Sequence, residues 1–294
     1  MTFLLSQTSL DWKRLYDDGF NLYPFEGEDL QVVLKNASFI LWSKDLTNMT
    51  NLMSPFRNKS VFLQHGIASK IYDFSHYMKS IVNDVAKYAC CSSEEEASII
   101  KQYSSRNVIP LAFGMPRHDF LLEKDILAQK TKKPKCVFIS FHWRRGKYDK
   151  KEQEFKGSRY LYDINKLLND SALKNLVDEG VKVMFLPHAR FIKYLDLFAI
   201  PSWIDVPKNI PFQELLVQSD VLVTDFSSNS FELAYMDKPS VIFVPGQEYV
   251  RTYMPHYHID KLREYPHMVY SGTVDETCLN IKKAIQDGRQ EGLA

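Results

Sequence analysis

No stretch of this sequence is apolar for long enough to cross a bilayer, which takes about 20 residues. The opening Met1–Leu10 lacks the basic start and long apolar core of a secretory signal. An excess of charge of either sign is also missing: 37 Lys and Arg stand against 36 Asp and Glu, a formal net charge of +1. That balance excludes a chain-wide basic surface for nucleic acid and leaves only local basic sites. Cysteine is sparse, and Cys90, Cys91, Cys136 and Cys278 have no metal-ligand spacing. The adjacent Cys90 and Cys91 end an apolar run and read as buried thiols. His256 and His258 lack a third ligand at a workable spacing, so no metal site is expected. Internal repeats and low-complexity tracts are absent too. These absences predict a cytoplasmic chain without a membrane span, a metal centre or a nucleic-acid-coating surface, and leave a peripheral membrane location open.

What is present is 45% hydrophobic residues in 294, enough for one large domain or two medium ones. The first ~30 residues are weakly patterned. Apolar segments then follow at Ser38–Trp42, Ser60–Gln64, Val85–Cys91 and Val108–Phe113, with a helical stretch at Glu94–Tyr103. The polar, basic, proline-containing Gln129–Lys135 reads as a linker. Beyond it, apolar runs at Cys136–Ser140, Val181–Leu186, Trp203–Val206, Val221–Val223 and Ser240–Val244 alternate with helical patterns. Those patterns lie at Tyr160–Leu168, Ser171–Glu179, Phe191–Phe198, Phe212–Gln218 and Ser230–Met236. A last helix, about Glu276–Gln286, follows Met268–Tyr270. Strand alternating with helix predicts parallel α/β sheets in two domains, 1–130 and 131–294, with the last helix free to pack back on the first.

Ligands of such sheets bind beyond the carboxyl ends of the strands. Polar clusters stand at four of those ends: His65-Gly66, then His142-Trp143-Arg144-Arg145, then Pro187-His188-Ala189-Arg190, then Thr224-Asp-Phe-Ser-Ser228. Imidazoles, guanidiniums and a Ser-Ser turn before a helix suit a substrate carrying a diphosphate. Each has a bland alternative. Ser228 can be an ordinary cap, His188 can cap the segment from Phe191, Arg117 can pair with Asp119, and Glu232 can be a solvated helix residue. Asp225 reads as structural, because a carboxylate facing phosphates would repel them.

The chain resembles the CDP-glycerol glycerophosphotransferases, which build teichoic-acid-like polymers. The matching pieces are Gln64-His65-Gly66, Gly114-Met-Pro-Arg-His-Asp119, His142-Trp143-Arg144, Leu186-Pro187-His188, Leu215 to Ser228, Phe231-Glu232 and Lys238-Pro239. They occur in the family's order over about residues 60–245. The resemblance implies a GT-B-like fold, two Rossmann-type domains facing across a cleft, the N-terminal one short. It implies transfer of an alditol phosphate from a CDP-alditol to a hydroxyl of a polymer or lipid-linked acceptor, with release of CMP and no cofactor. With no metal cluster evident in the sequence, metal-independent chemistry is expected, or at most weak stimulation by a divalent ion. It also implies peripheral contact with the inner face of the cell membrane.

By the same resemblance His65 is the acceptor-side general base and His188 donates to the diphosphate. Arg144, Thr224, Ser227, Ser228 and Glu232 bind the donor, and Arg117, Arg145 and Lys70 are further phosphate contacts. Two departures mark this chain. His65-Gly-Ile-Ala-Ser-Lys70 lacks the family's Thr-Pro, and Phe141-His142 stands where Pro-Thr is usual. They leave the acceptor open. So few residues before His65 suggest either a compact N-terminal half or a missing part, with an open sheet edge in the latter case. Two other readings stay in play: a GT-B glycosyltransferase or epimerase using a UDP- or GDP-sugar, and a catalytically silent nucleotide-binding module.

Overall fold

The structure, a computed structural model, describes residues 2–9, 11–43, 50–64, 66–71, 85–104, 107–131, 133–144, 152–248, 252 and 257–289. Its contacts divide the chain into two units, 1–65 with 74–114, and 66–73 with 115–294.

The first unit carries two parallel sheets. β1 (Thr2–Leu5) pairs with β2 (Asn21–Pro24) within the stretch the sequence left weakly patterned. β3 (Ile40–Trp42), β4 (Ser60–Phe62), β5 (Tyr88–Cys91) and β6 (Ile109–Ala112) form the second sheet in that order. Leu34, Phe62, Ala89, Cys91 and Ile100 fill its core. The helix Glu94–Tyr103 starts where the Ser93 hydroxyl accepts from the Glu96 amide, and the Glu96 carboxylate in turn accepts from Ser92 N at 2.6 Å. Those bonds satisfy amides that a helix start leaves over.

The second unit is a five-stranded parallel sheet in the order β11-β10-β9-β7-β8. Its strands are β7 (Cys136–Ile139), β8 (Lys182–Phe185), β9 (Val221–Thr224), β10 (Ser240–Phe243) and β11 (Met268–Ser271). Every residue of β7, β9 and β10 is buried, as the unbroken apolar runs require of strands covered on both faces. From β7 the chain runs to β8 on one side and then to β9 on the other. The strand order therefore reverses between β7 and β9, where doubly wound sheets open a crevice at their carboxyl ends.

The helices Arg159–Leu168, Ser171–Asp178 and Val274–Asp287 each start on a side-chain cap, from Ser158, Asp170 and Thr273. They bury Ile164, Leu167, Leu173, Cys278 and Ile281 in one cluster with β7, β8, β9 and β10. The last helix thus packs its apolar face on the sheet of its own unit.

The division between units falls earlier than the linker at Gln129–Lys135. The helix Pro116–Gln129 counts with the second unit because Leu121 sits among Phe138, Leu215, Leu222 and Leu233. Two expected elements differ. Trp203–Val206 contributes only an isolated bridge, Met184 to Asp205, since prolines 201 and 207 close in on either side. Phe191–Phe198 lies in a 3-10 segment, Ala189–Leu197, interrupted at Tyr194 (φ −113°, ψ 20°).

Candidate functional site at the carboxyl ends of the second sheet

The turns after β7, β8 and β9 bring polar and aromatic side chains together. After β7, Arg144 folds back under the turn and is wholly buried. Its Nη1 donates to Asp225 Oδ2 at 2.6 Å and to the His142 carbonyl at 3.1 Å, and its Nη2 donates to the Pro245 carbonyl at 2.8 Å. The guanidinium lies 4.4 Å from the centre of the Tyr160 ring and 4.8 Å from that of Phe226. The other oxygen of Asp225 accepts from the His142 amide at 2.9 Å. One carboxylate after β9 therefore fixes both the cation and the backbone after β7 (a link across the point where the strand order reverses). Arg144 was expected to face the donor. Its exposure is nil and it pairs with Asp225, so it acts as a strut between the turns after β7 and β9.

The strut also needs β10. Pro245 offers its carbonyl because Gly246 turns the chain at φ 62°, with its amide donating to Asp163 Oδ2 at 2.9 Å. A Cβ at Gly246 would come within 3.1 Å of Tyr160 N, so glycine is required by space as well as by angle. Sequence reasoning passed over Gly246, although Pro-Gly directly after an apolar run is a turn signal.

Around the strut stand the histidines. The ring of His188 is 5.6 Å from that of His142 and is stacked on Trp143 at 5.9 Å, with interplanar angle 26°. Arg190 lies 4.2 Å over the other ring system of this stack, Trp143. His188 Nδ1 accepts from the Arg190 amide at 3.2 Å, the capping contact its position allowed. An amide only donates, so Nδ1 holds a lone pair and the proton of the neutral ring sits on Nε2. Burial, with His142 and Arg190 adding and Asp225 opposing, pushes the His188 pKa down to about 4. His188 is thus a neutral Nε2–H donor near neutral pH. His142 is arranged the other way: its Nδ1 lies 2.9 Å from the Trp143 carbonyl, which only accepts, so Nδ1 carries a proton.

The Ser-Ser turn follows β9. Ser227 and Ser228 are half-buried, and the Ser227 hydroxyl accepts from Asn229 N at 3.3 Å. Ser228 precedes the short helix Asn229–Ala234 without a side-chain cap bond. Gly66 lies near this turn, but an added Cβ would meet Ser228 Oγ only at 3.9 Å and its φ is ordinary, so space does not demand glycine there. Thr224 is fully buried in β9 and its hydroxyl has no hydrogen-bond partner. Arg117 pairs with Glu232, Nε to Oε1 at 2.6 Å, rather than with Asp119. Burial raises the Glu232 pKa and the Arg117 charge opposes it. Lys70 pairs with Glu264 at 3.0 Å on the surface.

His65 and Arg145 lie outside the described residues. The residue before His65 has an unusual backbone: Gln64 sits at φ 62° and its side-chain amide donates to the Cys90 carbonyl at 2.7 Å. A non-glycine residue held there is a mark of functional sites. Among the described residues no group of three or more His, Cys, Asp or Glu is placed to hold a metal ion, and no helix is long and apolar enough to cross a membrane. All four thiols are buried and unpaired to one another, with burial pushing Cys91 and Cys278 up to about 12 and Cys136 to about 11.

Comparison with known proteins bears on the family and the fold. Minor teichoic acid biosynthesis protein GgaB of Bacillus subtilis is 27% identical over 219 residues, 70% of this chain and 22% of GgaB. This chain therefore spans about a fifth of the length of that relative. Among solved structures, the wall teichoic acid polymerase TagF soaked with CDPG superposes with a TM-score of 0.64 at 15% identity, covering 91% of this chain and 69% of that one. A UDP-GlcNAc 2-epimerase of Methanocaldococcus jannaschii, in complex with UDP-GlcNAc and UDP, gives 0.58 at 13% identity, covering 90% and 74%. Both likenesses fix the fold as GT-B-like. The sequence profile described as CDP-Glycerol:Poly(glycerophosphate) glycerophosphotransferase matches residues 9–291, and the chain belongs to that family.

Proposed function

We propose that this chain transfers an alditol phosphate, glycerol phosphate first of all, from a CDP-alditol to a hydroxyl of a teichoic-acid- or capsule-like acceptor, releasing CMP. Family membership supports the class of reaction. The observation that carries the donor side is the fixed tautomer of His188, an Nε2–H donor held by the Arg190 amide at the mouth of the sheet. A neutral, preorganised donor stabilises charge growing on a phosphate oxygen without reorganisation when the bond breaks. Ser227 and Ser228 add hydroxyls beside it. Glu232, oriented by Arg117, is the acceptor for ribose hydroxyls. Arg144 and Asp225 position the turns rather than touching the donor. His65 is the base for the attacking hydroxyl, as an imidazole suits an alcohol near neutral pH. Arg145 and Lys70 are secondary phosphate contacts, and the chemistry needs no metal. A lipid-linked acceptor would bring the protein to the inner face of the membrane as a peripheral partner.

The likeness to a protein solved with UDP-GlcNAc supports a second reading, a UDP-sugar enzyme. Isothermal titration with CDP-glycerol, CDP-ribitol and UDP-N-acetylglucosamine separates the two. Selective binding of a CDP-alditol, with CMP released on adding an alditol-phosphate acceptor, is expected. Preference for the UDP-sugar would replace the first reading by the second.

A further inference from the structure

We propose that His142 is the proton-accepting partner of this site: its Nε2 takes up a proton when a diphosphate dianion binds, while His188 stays neutral. The inference rests on the donor reading above and goes beyond it, because His142 stands where the resemblance would place threonine and was given no role by the sequence.

Two rings 5.6 Å apart differ in the hydrogen bonds that protonation would leave them. To become an imidazolium, His188 would have to put a proton on Nδ1, which now accepts from the Arg190 amide at 3.2 Å. Two N–H groups would then face each other and a bond would be lost. His142 pays no such cost. Its Nδ1–H already donates to the Trp143 carbonyl at 2.9 Å, and a positive ring makes that bond charge-assisted. Protonation at Nε2 therefore adds a donor and removes nothing.

The charges around His142 explain why the proton should arrive with the anion. On its own turn Arg144 is neutralised by Asp225, whose other oxygen holds the His142 amide. From the turn after β8 come His188 and the Arg190 guanidinium, which lies against Trp143. From the helix Arg159–Leu168 the Tyr160 hydroxyl reaches the His142 carbonyl at 3.3 Å. The carboxylate is thus already matched by Arg144, and among the described residues a further cation at His142 would sit near Arg190 with no second carboxylate in the contacts above. A bound diphosphate supplies the counter-charge. His188 Nε2–H and His142 Nε2–H would then offer two donors to it, one permanent and one recruited.

Titration calorimetry with CDP-glycerol in buffers of different ionisation enthalpy tests this. A diphosphate diester has no titrating group near neutral pH, so any proton taken up goes to the protein. Expected are net proton uptake near pH 7.5 and affinity that falls with rising pH, by up to about tenfold per unit, the limit for one linked proton. His142→Gln should abolish both. His142→Asn keeps a donor for the Trp143 carbonyl but has no Nε2, and should abolish them too, with unfolding in urea unchanged. His188→Gln should weaken binding yet keep the proton uptake. Uptake that persists in both His142 variants, or is absent from the wild type, overturns the proposal. If CDP-glycerol fails to bind but UDP-N-acetylglucosamine binds, the donor reading fails alone, and the same proton count with that diester still decides His142. If neither binds, both fall.

Discussion

The second unit buries two ion-pair networks, one at each end of its sheet. At the carboxyl ends, Arg144 meets Asp225 with both side chains at zero exposure. At the amino ends, Asp125 on the helix Pro116–Gln129 is held by Lys238 at 2.7 Å and by Arg289 at 2.7 and 2.8 Å. Lys238 also donates to the Val217 carbonyl, and Arg289 to that of Met236. The amino-end network ends in backbone carbonyls and the surface. The carboxyl-end network also ends in backbone groups, the His142 amide and carbonyl and the Pro245 carbonyl, but it stands beside two imidazoles. The chemistry of the pairs is similar, so burial of charge by itself does not mark function. What marks it is the neighbouring polar groups that still have a hydrogen bond to give.

The two networks also differ in how they can fail. A lysine can neutralise itself when its partner is lost, whereas an arginine cannot. Burial already holds Lys238 down at about 8, against the pull of Asp125.

The largest effect should come from the carboxyl end. His188→Ala should lower CMP release by about 10²–10⁴-fold, the usual worth of a positioned donor or acid–base group, while shifting unfolding by under about 1 kcal/mol. Equal losses of activity and stability would merge the two networks into one structural class. Asp225→Asn keeps an acceptor for the His142 amide but strands the Arg144 charge, and should cost roughly 3–5 kcal/mol in urea unfolding at any pH from 6 to 9. Asp125→Asn should cost less, about 2–3 kcal/mol at pH 7, and the penalty should shrink toward pH 9 as Lys238 sheds its proton. It should leave the affinity for CDP-glycerol unchanged. A penalty independent of pH would contradict the distinction drawn between the two cations.

Acid sharpens the comparison further. Asp125 is desolvated by burial, which would raise it, but bonds from Arg289 and Lys238 outweigh this and hold it at about 2. Its folded value lies below its unfolded one, so its contribution is fully present above pH 4 and is lost as pH falls from about 4 to 2. Wild-type stability should drop by roughly 2 kcal/mol more than that of Asp125→Asn across this window. The smallest effect concerns the thiols: with their pKa values raised by burial, a thiol reagent should modify none of the described cysteines before unfolding.

Much of this was legible in the chain. The strands of the second unit coincide with apolar runs because both faces of its sheet are covered, and the strand-end polar clusters stood out against those runs. Less legible was anything set by distant pairing. Arg144 finds Asp225 81 residues away, and Arg117 finds Glu232 115 residues away rather than Asp119 two positions on. Neither choice is encoded locally. The helix Pro116–Gln129 joins the core of the second unit through Leu121, a pairing that the charge composition of the linker does not announce. β1 and β2 are short and carry few buried residues, so their periodicity was too weak to read. The tautomers of His142 and His188 depend on which backbone group each Nδ1 meets, which only the folded turns decide.

The most direct test of the central claim is CMP release from CDP-glycerol with an alditol-phosphate acceptor, compared between the wild type and His188→Ala at equal donor occupancy. The account predicts turnover by the wild type and a loss of at least about 10²-fold in the variant, with the fold intact. Wild-type turnover that survives the substitution would contradict the role given to the His188 donor and, with it, the reading of the carboxyl-end cluster as the donor site.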